Sequence, residues 1–114
     1  MSDEKIPWPG YRSAPERLNL AAEVLDSPAA RGGARRAALV GAHGTTSYER
    51  LRQQVNALAA GLIDLGLRRG DLVLIKMGNS PEFAAAFLAA VKLGVVPVLV
   101  NSLLSAGELR SIVE

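Results

Sequence analysis

The chain has no cysteine, one histidine and one tryptophan, and only 4% of its 114 residues are aromatic. Without a thiol there can be no disulfide framework, no thiolate metal site and no cysteine nucleophile. The lone His43 has no second ligand nearby and no Ser or Cys partner at a recognisable spacing, so it reads as an exposed side chain rather than a metal ligand or base. Charge is also nearly balanced, with 13 Lys and Arg against 11 Asp and Glu for a net +2. The densest basic cluster, Arg31, Arg35 and Arg36 around Gly32 and Gly33, has no interleaved aromatics on which bases could stack. It reads as a solvated loop, and no nucleic-acid partner is expected. The opening MSDEKIPWPGYR mixes acids with prolines and lacks the apolar segment of a secretory signal, so a cytoplasmic protein is expected. The one long apolar stretch, Phe83 to Leu104, carries Lys92 near its middle, where membrane insertion costs about 2.5 to 3.5 kcal/mol. Gly94 and Pro97 also break the helix that a span would need, so a helix followed by a strand is expected instead of a membrane span.

What is present is abundant Ala, Leu and Val within a 49% apolar composition, typical of an α/β interior and too hydrophobic for disorder. The length allows one compact unit. Residues 1–14, Pro-rich and holding Trp8 and Tyr11, read as an extended arm, and residues 15–114 as one α/β subdomain. After Pro15, the apolar residues Leu18, Ala21, Ala22, Val24 and Leu25 predict a short helix capped by Asn19 and ended at Ser27-Pro28. Ala37 to Val40, the turn Gly41-Ala42-His43-Gly44 and Thr45 to Ser47 predict a small hairpin. From Tyr48, apolar residues recur at three and four through Leu65, and Gly66 stands at the helix C-cap position.

Leu72 to Met77 reads as a strand covered on both faces. Asn79-Ser80-Pro81-Glu82 then opens a helix with a cap residue, proline in the first turn and an acid beside it. That helix is expected to bury Phe83, Ala84, Phe87, Leu88 and Val91, with the intervening alanines allowing close approach, and to end at Gly94. Val95 to Val100 is the next strand. Pro97 removes a ladder donor, so it belongs at the strand's beginning or beside an unpaired position. Ser105 and Glu108 form a capping box for a last helix carrying Leu109, Ile112 and Val113. The fold class is therefore α/β: a partial parallel βαβ layer, right-handed by the general rule, with a small N-terminal hairpin. The last helix has no following strand to complete its layer, so the subdomain is expected to be incomplete at its C-terminus.

The segments SYERL (Ser47 to Leu51), the helix LRQQVNALAAGLIDLG and RRGDLVLIKMGNSPEFAAAFLAAVKLGVVPVLVN together resemble the start of the adenylate-forming, or AMP-binding, acyl-CoA and aryl-CoA synthetases. Arg50 and Leu93 depart from the usual Glu and Ala of two motifs, the helix-opening Thr/Ser-Tyr-x-Glu-Leu and the Lys-Ala-Gly turn. Pro15-Glu16-Arg17-Leu18-Asn19 and Val100-Asn101-Ser102-Leu103-Leu104 look most like the benzoate and 2-aminobenzoate CoA ligases. The resemblance implies the first portion of the family's N-terminal domain, within a parent that adenylates a carboxylate with ATP and forms a thioester with CoA. ATP, Mg and CoA are implied for that parent, and the remainder of the synthetase, in cis or in trans, is the implied partner. None of the family's phosphate loop, ribose aspartate or mobile lysine has a counterpart here. No catalytic, cofactor-binding or metal residue is therefore assigned, and the chain alone is expected to be inactive. The competing reading is a stand-alone small α/β module for nucleotide or protein binding.

Two loops merit testing as sites. Gly41-Ala42-His43-Gly44-Thr45-Thr46 lacks a P-loop lysine and the spacing of a dinucleotide fingerprint, so it reads as a hairpin turn. Met77-Gly78-Asn79-Ser80 is the better ligand candidate, since it leaves the C-terminal end of a strand and enters a helix N-terminus. Capping is still the favoured role there. Ser47 and Tyr48 likewise read as a helix start and a packing aromatic.

Overall fold

A computed structural model describes residues 16–114. The proposed arm at 1–14, with Trp8 and Tyr11, lies outside the described residues. The first described element is a leading helical stretch entered at Leu20, where the Asn19 side-chain oxygen accepts the Ala22 amide at 3.2 Å, as a helix cap should. It does not stop at Ser27-Pro28. Wide five-residue turns over Ala22–Asp26 and Ala29–Gly33 carry it past the proline. Ser27 donates back to the Ala22 carbonyl, five residues earlier, so the winding tolerates a position that has no N–H to offer. The stretch breaks at Arg31 and Gly32, which leave helical geometry.

The hairpin follows as expected: β1 (Ala37–Gly41) pairs antiparallel with β2 (Gly44–Ser47). Ala42 and His43 form the tip, and both are exposed. Its base is tied to the next helix, since Tyr48 donates to the Arg36 carbonyl and Glu49 to that of Ala34. Helix α1 (Tyr48–Asp64) starts where the Ser47 hydroxyl accepts the Arg50 amide at 3.1 Å. At its far end Gly66 takes φ of 91°, and the paired bonds Gly66 to Ile63 and Leu67 to Leu62 close the last turn. This is the Schellman arrangement that a glycine in the left-handed region permits.

Strand β3 (Leu72–Lys76), helix α2 (Pro81–Leu93) and strand β4 (Val96–Val100) form the βαβ unit, with β3 and β4 parallel and Leu72 opposite Val96. Val96 donates to the Asp71 carbonyl, so its neighbour Pro97 turns its nitrogen away from β3, toward the unpaired side. That resolves the conflict posed by a proline within the strand. The expectation that β3 is covered on both faces does not hold among the described residues. Helix α2 packs on the strands, but Leu72, Val96 and Leu99 remain exposed because no second layer is present to cover them.

The core lies between helices. Ala21 and Leu25 of the leading stretch, Leu51, Val55 and Ala59 of α1, and Ala85, Leu88 and Ala89 of α2 form one buried cluster. The α2 stripe thus differs from the one expected. Ala85, Ala89 and Ala90 are buried, whereas Phe83, Ala84, Phe87 and Val91 are half-buried. Small side chains let the two helix backbones approach closely, and the larger ones are pushed to the rim of the contact. Helix α3 (Ala106–Val113) has the full capping box: Ser105 Oγ accepts from Glu108 N–H, and the Glu108 carboxylate accepts from Ser105 N–H at 2.8 Å. None of its residues is buried, and Ile112 and Val113 face solvent.

Candidate functional site

The loop from Met77 to Ser80 lies where the strand pattern places it, beyond the C-terminal end of β3 and at the head of α2. Two grooves open on it. One, of about 390 Å³, runs between α1 and α2 and is lined chiefly by Leu58, Met77, Pro81 and Ala85. The other, of about 310 Å³, separates the hairpin from α2, with Val40, Thr46, Asn79 and Ser80 on its walls. Asn79 is exposed, while the Ser80 hydroxyl accepts the Phe83 amide at 3.2 Å and Glu82 stands in the first turn of α2. Both features satisfy the helix terminus that an anion would otherwise occupy. The loop therefore acts as a cap, as favoured from its sequence.

The remaining candidates are not brought together. His43 is exposed at the hairpin tip, and the Gly41 to Gly44 segment is the two-residue hairpin connection. Ser47 caps α1, while Tyr48 packs against the helical core. Arg31, Arg35 and Arg36 are exposed around the break that ends the leading stretch. Among the described residues no group of three or more His, Cys, Asp or Glu side chains is placed to hold a metal ion. No described helix is long and apolar enough to cross a membrane.

The polar constellation that the structure does assemble was not singled out in the sequence. Lys92, on the last turn of α2, places its Nζ 2.6 Å from Asn56 Oδ1 on α1 and 3.2 Å from Asp26 Oδ2 on the leading stretch. Asn19 Nδ2 donates to the Val91 and Lys92 carbonyls at 3.4 and 3.2 Å, satisfying acceptors that a helix end leaves free. Beside this node, Arg52 pairs with Glu49 at 3.0 Å. The hydrogen bond and the charge of Glu49 hold the Arg52 guanidinium above its ordinary pKa, with a smaller contribution from Asp26. Lys92, charged among the apolar residues of the α2 C-terminal half, was the available signal of a polar contact, though it does not identify the partner.

The AMP-binding enzyme family matches residues 25–114, which takes in all of α1, β3, α2, β4 and α3. The chain belongs to that family. A 3-hydroxybenzoate–CoA ligase of Aromatoleum sp. (strain CIB) is 34% identical over 97 residues, covering 85% of this chain and 18% of the relative. A benzoate CoA ligase from Burkholderia xenovorans LB400 superposes with a TM-score of 0.71 at 30% identity, over 78% of this chain and 18% of that one. An anthranilate CoA ligase in complex with anthranoyl-AMP gives 0.77 at 27% identity, over 88% and 19%. The chain thus spans about a fifth of the length of the relatives it matches and corresponds to an N-terminal portion of them.

Neither loop presents a built anion site among the described residues, since the Ala42–His43 tip holds no Lys or Arg and Ser80 caps the head of α2. The reading as a stand-alone module is not favoured, since the family match covers most of the chain and the βαβ unit is the family's own.

Proposed function

We propose that the chain is the first α/β subdomain of an AMP-forming acid–CoA ligase. The parent would convert a carboxylate and ATP to an acyl-adenylate and then to a CoA thioester. The named relatives support an aromatic acid such as benzoate or 2-aminobenzoate as its substrate. In this reading ATP, Mg, CoA and the acid are held by the remainder of the synthetase, supplied in cis or in trans, and the complete enzyme works in the cytoplasm. Residues 15–114 serve as scaffold: they build two strands of a sheet and present the β3–α2 loop at its edge. No catalytic, cofactor or metal residue is assigned to them.

The observation that carries the proposal is the family match across residues 25–114, with Ser47 and Ser80 at the two loops engaged as helix caps. It predicts that the purified chain catalyses no ATP–pyrophosphate exchange with benzoate or 2-aminobenzoate. Exchange above the protein-free blank, abolished by no other change than removing the acid, overturns the inactivity of the chain alone.

A further inference from the structure

We propose that the leading helical stretch is a strap that opens from the helical core as one unit, with Lys92 as its catch. Its attachment is built differently from the rest of the fold. Two fully buried side chains, Ala21 and Leu25, anchor it on the floor formed by Leu51, Val55 and Ala89. Its outer face carries Leu20 and Val24, both exposed. Ala29 and Gly33 are also buried further along the strap, and its polar ties converge on the C-terminal turn of α2. Asn19 binds two carbonyls there at one end of the strap, and Asp26 meets the Lys92 ammonium further along. Lys92 in turn reaches Asn56, so one side chain joins the strap, α1 and α2.

The strap's own backbone is weakly wound. Its hydrogen bonds reach back five residues instead of four, Pro28 donates none, and Arg31 and Gly32 interrupt the helix before the hairpin. Such a segment sits at the low-stability end of a fold, where local opening precedes global unfolding. A half-buried ion pair with a further hydrogen bond specifies one docked position, because apolar contact alone tolerates sliding. Arg52 lies alongside, with a buried Nε that has no hydrogen-bond partner among the described residues, and the charge of Asp26 acts on its guanidinium. Opening the strap would uncover Leu51 and Val55, which are otherwise buried.

Amide hydrogen exchange on the intact chain tests this segment by segment. Lys92→Met is expected to speed exchange at residues 20–30 by about tenfold, the loss of one charge-assisted hydrogen bond, while α1 amides around Val55 keep their rates. Lys92→Arg, and the exchange of charges in Asp26→Lys with Lys92→Asp, should restore most of the protection. Asp26→Asn gives a second, milder variant in which Asn56 still holds Lys92. Equal acceleration of the strap and α1 overturns the proposal, since it makes the strap part of one global unit, and unchanged rates at 20–30 overturn it as well. Failure of both Lys92→Met and Asp26→Asn to fold has the same consequence.

Discussion

Shortening Val55 to alanine should damage this fold far more than the same truncation of Leu58, three residues further along α1. Val55 is wholly buried and packs in the cluster of Leu25, Ala85, Leu88 and Ala89, whereas Leu58 remains 41% exposed. Removing the two Val55 methyl groups forfeits about 1.6 kcal/mol of transfer free energy. The neighbouring alanines are too short to fill the space, so a cavity term of roughly 1 kcal/mol adds to it. A total near 2 to 3 kcal/mol lowers the thermal midpoint of a domain of this size by about 10 °C or more. Leu58→Ala removes more atoms, but from a half-wet groove, and should cost less than about 1 kcal/mol. Thermal and urea unfolding followed by far-UV circular dichroism separates the two. A Val55→Ala penalty no larger than that of Leu58→Ala would refute the placement of the core between the helices.

Gly94→Ala is expected to cost about 1 to 2 kcal/mol in urea unfolding, for two reasons. Its φ of 74° disfavours any side chain, and a Cβ there would lie 3.0 Å from Arg69 Cγ. A penalty unchanged in an Arg69→Ala background would assign the whole cost to the backbone. Glu108 is held below its ordinary pKa by its hydrogen bonds to the Ser105 backbone and hydroxyl. Its contribution to α3 is therefore present above the ordinary value near 4.5 and is lost as pH falls through the lower, folded value. Exchange at 106–113 should accelerate with acid relative to α1, and Glu108→Gln should flatten that dependence; an acid response identical in the two proteins contradicts the capping box as its source.

Local chemistry made most elements legible in advance. The caps at Ser47, Ser80 and Ser105 and the glycines at 66 and 94 act within a few residues, so spacing alone reveals them. Long-range features were less accessible. Asp26 and Lys92 meet from positions 66 residues apart, and nothing local in either announces the partner. The winding past Pro28 depends on the packing of Ala21 and Leu25, which overrides the stop signal at Ser27-Pro28. The exposed face of β3 departs from expectation because an apolar run records what a strand is made to pack against, whether or not these residues supply it. At the candidate site the sequence made the β3–α2 loop's location and the Ser80 cap legible, because both follow from the strand end and the cap spacing.

The proposed scaffold role of residues 25–114 requires that they be exchangeable with the matching segment of a relative. Grafting this segment in place of the matching part of the Aromatoleum 3-hydroxybenzoate–CoA ligase tests it directly, with ATP-dependent formation of 3-hydroxybenzoyl-CoA as the readout. The account predicts a hybrid that makes this thioester and keeps the recipient's preference for 3-hydroxybenzoate over benzoate. A folded hybrid that makes no thioester, or whose acid preference changes with the graft, would contradict it.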